Sequence, residues 1–223
     1  DNNDRLGPKR AMQAGLILEP EMKRAIFIVF SLSICFGFYL ALLGGWIIVG
    51  IGLLSILFAI LYTGGPYPLA YNGLGDIFVF IFFGLIAVSG TYYLYTDYFS
   101  INSFILGSSA GCLATAILVV NNLRDVDNDK EYGKNTLAVY FGKKFTQFEY
   151  LLLMIIVYII PIYISIDLGN KASIYIVYFT LPICIRLIID VFYKKNSMLN
   201  ETLEATAKLL LLYSLLFSFG IVV

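Results

Sequence analysis

The chain has 223 residues, 60% of them hydrophobic and 13% charged, with 15 basic and 15 acidic side chains and no net charge. A mean hydropathy of +0.85 is more apolar surface than one soluble core of this size hides, so composition places the chain in the membrane class. Zero net charge gives no footprint for nucleic acid, and the absence of histidine removes His-metal centres, Ser-His-Asp and Cys-His nucleophiles and imidazole relays. Any catalysis must use carboxylates, Lys, Arg, Tyr or a hard metal held by oxygen. Cys35, Cys112 and Cys184 lie apart in apolar runs. They fit no disulfide or metal spacing and read as small buried apolar residues.

The opening DNNDRLGPKR has neither an initiator Met nor a signal-peptide pattern, and reads as a fragment whose start is missing. Apolar segments then recur at 25–43, 46–61, 77–95, 101–120, 148–166, 172–192 and 205–223. Each is close to the ~20 residues that cross a hydrocarbon layer of ~30 Å. Helices are the open-chain way to satisfy the backbone in lipid, so the sequence predicts an all-α, polytopic bundle of seven transmembrane helices in a single domain over 1–223. Short connections fall at Gly44–Gly45, Asp97–Ser100 and Asp167–Lys171, and longer ones at Tyr62–Asp76, Asn121–Gln147 and Lys194–Glu204. If the helices alternate, the N-terminal segment and the longer loops share one face. That face carries Arg5, Lys9, Arg10, Lys23, Arg24, Arg124, Lys130, Lys134, Lys143, Lys144, Lys194 and Lys195, against Lys171 alone on the other. By the positive-inside rule the charged face is cytoplasmic.

On that face stands NNLRDVDNDKEYGKNTLAVYFGKK, residues 121–144, with four acids and five bases. Asp125, Asp127 and Asp129 follow DxDxD spacing, and Asp125 and Asp129 project from one side of a helix. Two carboxylates there repel unless a cation sits between them. Mg²⁺ accepts one or two carboxylates together with phosphate oxygens and water. Arg124, Lys130 and Lys134 could neutralise phosphate directly. A plain solvated loop would also explain a charge run. An EF-hand does not fit, because Lys130 and Thr136 occupy the positions of its glycine and final Glu.

Two further polar segments share the face. DNNDRLGPKRAMQAG supplies Asp1, Asp4, Arg5, Lys9, Arg10 and Gln13, a second acid-plus-base cluster that could clamp a polyanion from the other side. YTGGPYPLAYNGLGD, residues 62–76, is punctuated into turns by Gly and Pro. It reads either as a connector with interfacial tyrosines or as a cap bringing Tyr67, Tyr71, Asn72 and Asp76 over a cavity. Tyrosine rings there could stabilise a carbocation.

These three segments, with FVFIFFG, GTYY at 90–93 and the C-terminal LLYSLLFSFG, resemble the UbiA superfamily of intramembrane aromatic prenyltransferases. The similarity is greatest to the branch whose acceptor is 1,4-dihydroxy-2-naphthoate. The neutral Leu69-Ala70-Tyr71 after Tyr67-Pro68 is similar to that branch rather than to the hydroxybenzoate and haem-farnesylating ones. The resemblance implies a nine-helix bundle, of which these are the last seven helices, in a bacterial cytoplasmic (inner) membrane with its site on the cytoplasmic side. It implies Mg²⁺ as cofactor and, as partners, a polyprenyl diphosphate, 1,4-dihydroxy-2-naphthoate and the lipid bilayer. The product would be demethylmenaquinone, formed with loss of carboxylate. Carried over residue by residue, the metal ligands would be Asp125, Asp129, Asp127 and Asp1. The diphosphate would meet Arg5, Arg10, Arg124, Lys134, Asn121 and Asn122. Asp125, Asp129, Tyr67, Tyr71 and Asp76 would be catalytic, with Asp76 orienting Tyr67 or the aromatic substrate, or capping the third helix.

Outside these segments, Arg186 and Asp190 at i, i+4 read as an intramembrane ion pair or a snorkelling arginine, and Lys208 as a snorkelling lysine. Gly37, Gly84, Gly107 and Gly111 read as close-packing positions. A transporter is the rival class. It would place ionisable groups near mid-membrane, whereas here they crowd one face. A CDP-alcohol phosphotransferase would need a D-G-x-x-A-R opening that is missing.

Overall fold

A computed structural model describes residues 6, 7, 11, 12 and 14–223. Among them the chain is helical, with no strand beyond one isolated bridge between Asn72 and Asn135. Six helices are long and apolar enough to cross a membrane: α1 Glu19–Thr63, α2 Gly75–Thr96, α3 Ile101–Glu131, α4 Leu137–Asp167, α5 Ala172–Tyr193 and α6 Asn196–Val222. The protein is an integral membrane protein.

α1 holds the first two predicted spans as two arms, so all seven expected apolar segments are helical. It is broken at Gly45, which takes φ 65°, ψ −155°. Gly37 and Ala41 before the break line the same cavity as Ile48 and Gly52 after it, so the two arms fold toward each other there. Glycine reaches this left-handed region without the Cβ clash that bars other residues.

α3 is the central helix and packs against α2, α4 and α6. Small residues allow the closest of these contacts. A Cβ on Gly84 of α2 would lie 2.5 Å from Gly111 Cα and 2.6 Å from the Gly107 carbonyl of α3, so the two backbones touch directly. Around Gly84, residues Phe80–Ile86 widen into a π-helical turn. Gly37 has nothing within 4 Å of such a Cβ and is not a packing position. Cys112 and Cys184 are buried as expected, whereas Cys35 is exposed on α1. α1 is peripheral, with only Gly44 and Ile48 buried. Its outward Phe27, Phe36 and Trp46 present an apolar surface suited to acyl chains.

The core between α3, α4, α5 and α6 includes Leu113, Val120, Tyr150, Met154, Leu187, Leu209 and Tyr213. Its buried hydroxyls are all bonded: Tyr150 to Thr206 at 2.9 Å, Tyr158 to Thr180 at 2.6 Å, and Tyr213 to the Val157 carbonyl at 2.7 Å. The last has a specific origin. Pro161 lies inside α4 and has no N–H to give the carbonyl four residues earlier, and Tyr213 of α6 donates to it instead.

Lys171, the lone cation of the opposite face, also has a local reason. Its ammonium donates to the Ile221 carbonyl at the end of α6, where helix carbonyls lack partners and the dipole is negative. Asp190 pairs not with Arg186, which is exposed, but with Lys194 at 3.0 Å. That hydrogen bond holds the Lys194 ammonium above its ordinary pKa. Lys208 pairs with Glu204 at 2.6 Å on an exposed helix face.

Candidate functional site

The apolar run of α3 ends near residue 120, yet the helix continues to Glu131 and carries its polar residues out past the hydrocarbon layer. Its end is a glycine-terminated cap. Gly133 takes φ 69°, its N–H donates to the Lys130 carbonyl, and the Lys134 N–H donates to the Asp129 carbonyl at 2.8 Å. This is the Schellman arrangement, in which a left-handed residue reverses the chain and satisfies the last carbonyls. The reversal brings the Lys134 ammonium 2.9 Å from Asp129 Oδ2. The sequence DKEYGK therefore builds a lysine that folds back onto its own acidic face.

Asp125 and Asp129 share the inner side of this extension, with side chains 15% and 10% exposed. Asp127 points away: its side chain is 77% exposed and pairs with Lys143 at 2.7 Å. The expected three-aspartate ligand set is thus a pair plus an outlier. Asp1, Arg5 and Arg10 lie outside the described residues.

Arg124 differs from the expectation of a free diphosphate contact. It is only 4% exposed. Its Nε and Nη2 reach the two oxygens of Asp125 at 2.8 and 2.6 Å, Nη1 reaches Asn200 Oδ1 at 2.7 Å, and Nη2 also reaches Asn121 Oδ1 at 2.8 Å. A guanidinium has five N–H donors, so protein oxygens engage nearly all of them. Gly7 lies against the same guanidinium, and Asn200 Nδ2 donates to the Leu6 carbonyl at 3.1 Å. Leu6 and Gly7 therefore lie on the Arg124–Asn200 pair, beside the acidic face.

The loop between α1 and α2 joins the site through its backbone. The Asn135 N–H donates to the Tyr71 carbonyl at 3.0 Å, and the Asn72 side chain bonds the Pro68 carbonyl at 2.7 Å. The rings of Tyr67 and Tyr71 are 58% and 43% exposed and do not close over the polar cavity beneath. Tyr62 lines that cavity instead, together with Asp76, Asn122, Lys134 and Thr136. Asp76 is buried at the start of α2. Tyr62 also lines a second, apolar cavity of about 570 Å³ with Phe58, Phe78 and Phe82, where the Phe58 and Phe78 rings stand 4.8 Å apart. Sequence reasoning overlooked Asn200, Tyr62 and Thr136. Asn200 had a faint signal, a polar residue in MLNET just ahead of the last apolar run.

Among the described residues no three acidic, cysteine or histidine side chains converge into a cage for a metal. The Asp125–Asp129 pair nonetheless fits a magnesium-like ion, which draws most of its ligands from phosphate and water and needs only one or two carboxylates.

The membrane-embedded helical bundle thus carries paired carboxylates with matched cations at the end of α3, and a polar and an apolar cavity that share Tyr62. The chain belongs to the UbiA prenyltransferase family, which matches residues 2–216. It is 34% identical to a 1,4-dihydroxy-2-naphthoate octaprenyltransferase of Haemophilus influenzae over 232 residues, covering 100% of this chain and 75% of the relative. A protein of the same name from Escherichia coli is 44% identical over 151 residues, 64% of this chain and 48% of the relative. UbiA prenyltransferase domain-containing protein 1 of Gallus gallus is 32% identical over 161 residues, 72% of this chain and 46% of the relative. The chain spans about half the length of most of these curated relatives.

Proposed function

We propose that the protein transfers a polyprenyl group from polyprenyl diphosphate to 1,4-dihydroxy-2-naphthoate at the cytoplasmic surface of a bacterial inner membrane. Diphosphate leaves, the ring carbon takes the allylic group, and the ring carboxylate departs as carbon dioxide, giving the hydroquinone form, demethylmenaquinol, which a separate two-electron oxidation converts to demethylmenaquinone. The observation that carries this reading is the Asp125–Asp129 pair, each carboxylate matched to a cation, with Lys134 lining a polar cavity that shares Tyr62 with an apolar one large enough for an isoprenoid or a bicyclic ring. The names of the Haemophilus influenzae and Escherichia coli relatives support the acceptor, as does the neutral Leu69-Ala70-Tyr71 stretch.

In this reading Asp125 and Asp129 hold a divalent cation, Mg²⁺, which when bound supplies positive charge to the leaving diphosphate. Lys134 has two N–H donors beyond the one given to Asp129, and these neutralise phosphate oxygens. Arg124 orients Asp125 and anchors the N-terminal segment, whose Asp1, Arg5 and Arg10 complete the diphosphate clamp with Asn121 and Asn122. The isoprenoid lies among Phe58, Phe78 and Phe82, where aromatic faces shelter the developing allylic cation from water. Tyr62, at the junction of the two cavities, takes the place first given to Tyr67 and Tyr71.

The test is an assay of the purified protein in lipid with a labelled polyprenyl diphosphate and Mg²⁺. It should prenylate 1,4-dihydroxy-2-naphthoate and not 4-hydroxybenzoate. Product from 4-hydroxybenzoate alone would reassign the acceptor, and no transfer to either would overturn the reading.

A further inference from the structure

The polar cavity under Lys134 collects three oxygen atoms that have no partner in the protein: Asp76 Oδ1, Asn122 Oδ1 and Thr136 Oγ1. Their residues are 5%, 4% and 3% exposed. They come from three separate elements: the start of α2, the surface end of α3 and the turn into α4. Buried polar groups in native proteins are almost always bonded to protein or to an ordered molecule. Three such atoms lining one cavity point to a common ligand.

The chemistry of the three atoms restricts that ligand. A carboxylate oxygen and an amide oxygen only accept, so the occupant must donate to both or carry positive charge. The threonine hydroxyl can donate in return. The cavity measures about 20 Å³, and one water needs roughly 10–15 Å³ of such space. A water molecule meets every requirement, giving its two protons to Asp76 and Asn122 and accepting from Thr136. A bare monovalent cation would satisfy the oxygens, but Lys134 lines the same cavity and its charge opposes a second positive charge there.

We propose that this cavity is a binding site for one structural water, held by Asp76, Asn122 and Thr136. The water ties the loop of residues 62–76 to the segment that carries Lys134, alongside the Tyr71–Asn135 backbone bond. Asp76 is then a positioning residue. It acts through the water and through its charge on Lys134, and does not touch the reacting atoms.

The direct test is a high-resolution structure of the protein in lipid. Wild type should show a density peak within hydrogen-bond reach of all three oxygens, and Thr136→Val, which keeps the shape and removes the hydroxyl, should lose or displace it. Absence of the peak in wild type, or an anomalous peak there after Rb⁺ soaking, overturns the proposal. Thermal denaturation gives a second arm. Asp76→Asn and Thr136→Val share one water, so the double variant should melt close to the worse single variant, and fully additive losses would count against a common ligand. The positioning role rests on the prenyl-transfer reading. Thr136→Val should raise KM for polyprenyl diphosphate several-fold while kcat changes by less than about twofold, and the reverse split rejects that role. An inactive wild type sinks the prenyl-transfer reading without altering the density and melting results.

Discussion

Arg124 and Asp125, neighbours in sequence, form a bidentate pair: Nε to Oδ1 at 2.8 Å and Nη2 to Oδ2 at 2.6 Å. Adjacent helical residues do not normally face each other. Here the long arginine is held by Asn121 and by Asn200 of α6, and so curls back onto its neighbour. An arginine in such a motif looks from sequence like a free phosphate ligand. In the structure its fork is spent on fixing an aspartate and on linking three parts of the chain.

Arg124 should therefore matter for stability as well as activity. Arg124→Ala leaves the half-buried Asp125 without its partner, and because removing one member of a fully buried pair costs about 3–5 kcal/mol, the loss here should fall below that range. Arg124→Lys keeps the charge but not the fork and should fall between wild type and alanine. Thermal unfolding in detergent checks the order. A lysine variant as stable as wild type, with activity reduced, would return Arg124 to the role of a simple phosphate contact.

The three aspartates should separate. Asp125→Asn and Asp129→Asn remove charge from the inner face of α3, where a diphosphate-bound cation is worth several kcal/mol. At 1.4 kcal/mol per tenfold in rate, a loss of about 3 kcal/mol lowers turnover by about 100-fold. Asp127→Asn, on the exposed side with Lys143, should stay within about twofold of wild type. Initial rates of prenyl transfer for the three variants decide it, and an Asp127 variant as impaired as the others would restore the three-aspartate site.

Gly84 and Gly37 offer a paired test of packing. Gly84→Ala drives a Cβ into the α3 backbone, and overpacking a close contact costs about 1–3 kcal/mol. Gly37→Ala meets open space and should change stability by less than about 0.5 kcal/mol. Melting temperatures in the same detergent read both, and equal shifts would contradict the direct contact of Gly84 with the α3 backbone.

The helical architecture was legible because hydrocarbon length and backbone satisfaction leave a long apolar run little choice. The short connection expected at Gly44–Gly45 coincides with the break of α1 at Gly45, because paired glycines are the residues that reach a left-handed conformation at no steric cost. The Asp125–Asp129 pair was legible because i, i+4 is a local relation. What was not legible depends on contacts across the chain. The partner of Arg124 is Asn200, 76 residues away, and Tyr62 rather than Tyr67 or Tyr71 faces the cavity because the loop's backbone, pinned by Asn135, turns the later rings outward. Asp190 chose Lys194 over Arg186 at the same i, i+4 separation, because α5 presents Arg186 on its exposed side.

The bond from Tyr213 to the Val157 carbonyl makes a final prediction about how α4 tolerates its proline. Pro161 deprives that carbonyl of its helical donor, and the Tyr213 hydroxyl, 2.7 Å away, supplies the replacement. Tyr213→Phe should then cost about 1–2 kcal/mol, the penalty for a buried acceptor left unpaired. In a Pro161→Ala background the new N–H at position 161 can bond Val157, so the same substitution should cost about 1 kcal/mol less. The cycle of four proteins isolates the coupling, because each single change removes one identified donor or restores another. Equal penalties for Tyr213→Phe in both backgrounds would show that the tyrosine contributes packing alone and that the carbonyl finds its partner elsewhere.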